Sequence, residues 1–169
     1  MNYTRNELLS AEATMNQMRN AITHLIRFMR KNKVDNVIER LRRMGKNIGS
    51  TFVNYWKPTD NITQKNIKDV LATIYQYIFS SSVAIELDSS QNLIFIRDYK
   101  CPMCKYQFED IKEAGCEIII AMVAEMVSKI SEISNNKDAL FLEPVKIQES
   151  KAFGHRSCLQ VYKYYSRGS

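Results

Sequence analysis

Two histidines in 169 residues leave little from which to build proton-transfer or nucleophilic chemistry. His24 falls inside a helical apolar pattern and His155 in a turn, and neither has an evident partner for nucleophilic catalysis. The chain contains only 5 glycines and no phosphate-cradling glycine loop. Glu39, Glu109, Asp110 and Glu113 show no paired-carboxylate arrangement of the kind acid–base catalysis needs, and read as solvated charges. No run approaches the roughly 20 apolar residues of a membrane span. The polar opening Met1-Asn2-Tyr3-Thr4-Arg5 is unlike a secretory signal. There is no internal repeat, no low-complexity linker and no helix-turn-helix or RNA-binding motif, and the aromatics are scattered, so nucleic acid is not an expected partner. These absences lead to the expectation of a non-enzymatic, cytoplasmic domain whose membrane contact is at most peripheral.

What is present suffices for one core. The 45% of hydrophobic and 25% of charged residues predict a single domain over 1–169. Leu8, Met15, Met18, Ile22, Leu25, Ile26 and Met29 keep helical spacing and predict a first helix from about Glu7 to Lys31. A second runs from about Val34 to Tyr55, stopped by Trp56-Lys57-Pro58. Thr59-Asp60-Asn61-Ile62-Thr63 supplies turn and N-cap chemistry for a third from about Gln64 to Ser80, with Ile67, Val70, Leu71, Ile74 and Tyr77 as its apolar stripe. The period then falls to two: Val83, Ile85 and Leu87, a turn at residues 88–92, and Leu93 to Ile96 make a hairpin. A cysteine-bearing loop from Lys100 to Phe108 leads to a fourth helix from about Glu109 to Ser134, which ends at Asn135-Asn136-Lys137-Asp138. Its unbroken apolar run from Ile118 to Val123 indicates burial on more than one side. Two last strands, about Leu142 to Glu149 and Ser157 to Tyr164, flank a turn at Phe153-Gly154-His155. That order predicts an α+β domain, an antiparallel sheet of about four strands packed against long helices.

Gly45 and Gly49 stand four residues apart inside the second helix, where each costs about 1 kcal/mol of helix stability relative to alanine. A packing reason is expected, because a missing Cβ lets another element approach the backbone. Cys101-Pro102-Met103-Cys104 is the strongest chemical pattern. Two thiols at this spacing can grip one tetrahedral metal, and Cys116 and Cys158 can complete the four ligands of a structural zinc site. The spacing of the outlying pair is not that of a zinc ribbon, and Cys116 also reads as a small buried hydrophobe. His155 ranks below the cysteines as a ligand. A thioredoxin-like role is disfavoured, since that motif opens a helix in a βαβ unit and this one follows a hairpin. With no secretory signal, reduced thiols or a metal are expected rather than a disulfide framework.

The net charge of +6 is concentrated early, at Arg19, Arg27, Arg30, Lys31, Lys33, Arg40, Arg42, Arg43 and Lys46. A solvated helix face accounts for the cluster, and attraction to an anionic membrane or an acidic protein surface is the functional alternative.

The stretch Arg43-Met44-Gly45-Lys46-Asn47-Ile48-Gly49, followed by a helix and then Asp69-Val70-Leu71-Ala72, resembles the core subunits of the TRAPP vesicle-tethering complex, of the palmitate-binding type. The C-terminal half resembles the related four-vinyl-reductase domain, with Cys116 heading the long helix and Gly154-His155-Arg156-Ser157-Cys158 leading into the last strand. The mixture points to an archaeal homologue. In the ligand sensors of that second group both cysteines hold zinc, together with a Glu and a Cys just before the Gly-His turn. Here Ser150 takes the place of that cysteine and Glu149 is out of register, which leaves Cys101 and Cys104 as replacements. The TRAPP resemblance implies a scaffold for tethering or small-GTPase-linked trafficking, a homodimer or heterodimer with same-fold subunits, and a small GTPase met through a larger assembly. Met44, Gly45, Asn47 and Gly49 would be its packing or dimer motif, and Met15, Met18, Ile22, Leu25 and Met29 a further contact. It also implies a hydrophobic tunnel, here with Met44, Ile48, Ile74, Ile118, Met122 and Met126 as its possible lining. The acylated cysteine of the family falls near Asn61, where this chain has no thiol. The alternative implied by the second resemblance is a zinc-containing sensor of a small apolar or aromatic ligand.

Overall fold

The computed structural model describes residues 4–134 and 136–166, apart from the side chains of Glu7, Leu8 and Ala11. Met1, Asn2 and Tyr3 of the polar opening, the Leu8 side chain and Asn135 of the expected turn lie outside the described residues. Three helices come first, α1 (Arg5–Lys31), α2 (Val37–Phe52) and α3 (Ile67–Phe79). The hairpin of β1 (Val83–Asp88) and β2 (Leu93–Asp98) follows, then α4 (Glu117–Ser134), β3 (Leu140–Glu149), a single 3-10 turn (Lys151–Phe153) and β4 (Cys158–Ser166). The four strands form one antiparallel sheet in the order β1-β2-β4-β3, the α+β arrangement expected. Ile94 and Ile96 of β2, Tyr162 and Tyr164 of β4, and Leu140 and Leu142 of β3 are buried in the core shared with α3 and α4.

Gly45 and Gly49 explain how α4 comes to be buried almost all round. A Cβ built on Gly45 would lie 2.2 Å from the Ile118 carbonyl oxygen, and one on Gly49 would lie 2.5 Å from that of Met122. The two helices therefore meet backbone to backbone, one helical turn of α2 against one of α4. This close approach takes place within one chain. The glycine pair is thus an internal packing element, while Met44 beside it is half-buried and Asn47 is exposed. On its other side α4 is tied to β3: the Ser131 Oγ donates to the Leu140 carbonyl at 2.5 Å, and Ser128 bridges the Leu142 backbone. Arg42 closes the end of this sandwich. It pairs with Glu117 at 2.7 Å and donates to the carbonyls of Pro144 and Val145, where the register of edge strand β3 shifts around its proline.

Three expectations need correcting. The fourth helix begins at Glu117 and not near Glu109, because Asp110 and Glu113 are engaged by α1 arginines and the chain stays irregular through Cys116. On α3 it is Tyr75, not Tyr77, that enters the core, where its hydroxyl donates to the Gln160 side chain at 2.6 Å. Tyr77 is exposed and stacks on Trp56 with ring centroids 4.2 Å apart. On α1 the apolar stripe is split: Met29 is buried, Met15, Ile22 and Leu25 are half-buried, and Met18 is exposed.

The substitution Gly45→Ala, helix-favouring on an exposed surface, is expected to destabilise this protein by roughly 2–4 kcal/mol, since backbone on α4 must shift to admit the methyl. Urea midpoints read this directly, and a neutral or stabilising G45A would refute the backbone contact between α2 and α4.

Candidate metal centre

Three peptide segments converge on one end of the core. Residues 99–116 run from β2 to α4 without helix or strand, and carry Cys101 and Cys104 across a turn closed by the Cys104 amide donating to the Cys101 carbonyl. Cys116 ends that segment, and its carbonyl accepts the Ile120 amide in the first turn of α4. Cys158 opens β4, cross-strand from Asp98. All four cysteines are buried, none is in a disulfide, and their sulfurs lie within 4.8 Å of one another. Metal–sulfur bonds of about 2.3 Å in a tetrahedron put sulfurs about 3.8 Å apart, so closure around an ion needs movements of about 1 Å. The donor set fits a structural zinc site: four thiols, no open position and no water-facing ligand.

Polar groups reach two of the four sulfurs. The Ser150 hydroxyl lies 3.5 Å from the Cys104 Sγ as donor, and the Lys151 amide donates to the Cys158 Sγ at 3.4 Å. Cys116 sits at the start of α4, where the helix dipole presents its positive end. Cys104 is held well below the usual thiol range, first by hydrogen bonding from Cys101, then from Cys116 and Cys158, with Ser150 adding to it. Cys101 is pushed up, chiefly through its hydrogen bond with Cys104. Cys116 is pushed up by hydrogen bonds with Cys101, Cys104 and Cys158, and by burial. Cys104 is thus the thiol most ready to lose its proton while Cys101 and Cys116 hold theirs, and an incoming cation would displace the protons that remain.

Next to the thiols lies a buried polar cluster that sequence reasoning did not identify. Asp98 accepts from the Ser81 hydroxyl at 2.5 Å and from the Lys100 amide at 2.9 Å through one oxygen, while its Oδ2 has no partner among the described residues. Burial pushes its carboxyl up, partly offset by those two donors. Gln160 accepts from Tyr75 and Tyr162, and its Nε2 has no partner among the described residues. Ser150 lies against the thiols, where the sensor resemblance has a cysteine ligand, whereas Arg19 was missed: an arginine on a long helix carries no local sign of a place beside a ligand turn.

The remaining predicted site residues are placed elsewhere. Ile74, Ile118, Met122 and Met126 are buried in packed core, and the Ile118 and Met122 carbonyls abut α2. Ile48 is 41% exposed and lies at the surface of α2. The two larger clefts described, of about 640 and 540 Å³, are open to solvent and lined by other residues. His24 and His155 are exposed, and Asn61 is tied down by the side chains of Asn66 and Asn136.

No family model matches the sequence. Among solved structures, the fold is similar to a crystal structure of trafficking protein particle complex subunit 3 from Naegleria fowleri, covalently bound to palmitic acid. The TM-score is 0.65 at 13% identity, over 91% of this chain and 96% of that one. The likeness establishes a TRAPP-subunit fold from one end of the chain almost to the other.

Two outcomes follow from the site. Stripping metal from loaded protein is expected to lower its stability by a few kcal/mol in chemical unfolding, and Cys104→Ser should remove that metal response. An equal response in both proteins would contradict the assignment. Asp98→Asn exchanges a charged orphan for a neutral one and should stabilise by on the order of 1 kcal/mol at neutral pH. Because the Asp98 carboxyl is raised in the folded state, the wild type loses stability as pH rises through that folded value. The advantage of D98N should thus grow between acid and neutral pH, and a pH-independent difference would show that Asp98 is not the group responsible.

Proposed function

We propose that this chain is a non-enzymatic scaffold subunit of the TRAPP type, which works by assembling with subunits of its own fold in a membrane-tethering or GTPase-linked complex and carries one structural zinc. The observation that carries this reading is the end-to-end match to a TRAPP subunit. The four-cysteine site supports a structural metal, because four thiolates leave no position at which a substrate or water can bind. Chemistry at a nucleophilic thiol is not offered elsewhere, since all 4 cysteines of the chain belong to this cluster.

The acyl chain of the Naegleria subunit has no covalent counterpart in this proposal: the region of Asn61 contains no thiol, and of the residues assigned to a tunnel Ile74, Ile118, Met122 and Met126 are packed core. Contact with an anionic membrane remains part of it in reduced form. Arg19, Arg27, Arg30 and Arg42 are occupied by partners inside the chain. Lys31, Lys33, Arg40, Arg43 and Lys46 are exposed at the end of α1 and along α2, a smaller basic face than the sequence suggests. Ser150 against Cys104 favours a second reading, a zinc-containing sensor of an apolar or aromatic molecule, because in the sensor group a cysteine ligand occupies that place. Such a sensor would be stabilised by its ligand, whereas the scaffold would be stabilised by other subunits.

Native mass spectrometry of the protein, alone and co-expressed with same-fold subunits from its own genome, tests the scaffold reading. The expected spectrum shows dimers or mixed assemblies. A monomer that captures no such subunit would overturn it.

A further inference from the structure

We propose that the metal at the four cysteines docks α1: the ion orders residues 99–116, and that segment in turn holds the N-terminal half of α1 to the domain. The inference rests on the metal reading given above and extends it to a part of the chain that supplies no ligand.

A connection of this length without helix or strand is uncommon in a compact domain, and needs something other than a backbone ladder to order it. Its backbone pairing is sparse: a turn at Cys101 and Cys104, the Phe108 amide donating to Ala152, and the turn entering α4. Three of the four ligands lie on it. Along its length it meets α1 repeatedly. Lys105 pairs with Glu12 at 2.6 Å. Arg19, only 3% exposed, donates through Nε to the Pro102 carbonyl at 2.6 Å, between two ligands, and its guanidinium lies 5.5 Å from the Tyr106 ring centroid. Gly115, next to ligand Cys116, faces Ile22. Further on, Arg27 grips Asp110 with two bonds of 2.5 and 3.0 Å, and Arg30 donates to Glu113 at 2.9 Å.

The two halves of α1 differ in what else supports them. Ile26 and Met29 are buried with Val37 and Leu41, so the C-terminal half is also anchored on α2. Ile22 and Leu25 pack partly against the same cluster, and N-terminal to Ile22 no described apolar residue of α1 belongs to either core cluster. Between it and the end of α3 lies an open cleft of about 540 Å³, lined by Met15, Arg19, Ile78, Phe79 and Pro102 among others. With the loop released, residues 12–22 would keep a helical sequence with little to lie on, and isolated helices of that length are marginal in water. The coupling is reciprocal: a docked α1 must make the metal harder to remove, by the factor with which metal favours docking.

Hydrogen exchange read by mass spectrometry on the full chain, zinc-loaded and stripped, with metal content measured on the same samples by native mass spectrometry, tests this. Stripping is expected to speed exchange about tenfold or more in peptides from 101–116 and from 12–22, with residues 37–52 and 83–98 little changed. Arg19→Ala keeps every ligand and serves where the stripped protein unfolds. It should hold one zinc per chain, show fast exchange in 12–22 with zinc present, and yield its zinc to a chelator faster than wild type. If 101–116 opens on stripping while 12–22 does not, or if R19A matches wild type in both readouts, the coupling is wrong and the metal site stands. If the chain holds no zinc at all, the metal reading and the coupling fall together.

Discussion

Four buried thiols at the end of the sheet are the constraint on which the long irregular connection of this molecule depends. Buried polar groups must be satisfied or they cost free energy, and here the thiols lie within reach of one another, of one serine hydroxyl and of one backbone amide. Around them the chain gives up regular structure for eighteen or so residues, which a hydrophobic core of this size does not by itself explain. The segments that converge come from the end of a hairpin, the first turn of a helix and the first residue of a strand. A cation shared among them would tie the sheet, α4 and the long connection into one unit, and would supply the positive charge that four thiolates require.

The second constraint is steric. Gly45 and Gly49 let α2 lie directly on the backbone of α4, and the unbroken apolar run of α4 then has α2 on one side and β3 on the other. Arg42 spans the same layers at their open end through Glu117 and the irregular stretch of β3. Charged residues on these helices thus behave as fasteners. Arg19, Arg27 and Arg30 do the same for α1, committing part of an apparent basic surface to the cysteine-bearing segment.

How far these features were legible in the sequence follows from the range of the interactions that produce them. Helical and strand periods are local, so the three first helices, both hairpin strands and the antiparallel α+β class could be read directly. The glycine pair announced a close contact, because its cost within a helix asks for a compensating one, though not with which element. The four cysteines could be nominated from spacing and residue type, and the fold brings all four together. Legibility failed where a residue's role is set by something distant. Residues 109–116 have helical composition and are held irregular by arginines some eighty positions earlier. Tyr75 and Tyr77 stand two residues apart on α3, and the choice between them is made by Gln160 across the core. Arg19 shows no motif of its own, and only the fold reveals that it borders the turn between two of the thiols.

The most direct test of this account is X-ray absorption at the zinc edge on protein purified without added chelator and loaded with one equivalent of zinc. Four sulfur neighbours at about 2.3 Å, with no nitrogen or oxygen in the inner shell, is the result the four-thiol centre requires. A shell containing nitrogen or oxygen, or a protein that retains no zinc, would contradict it.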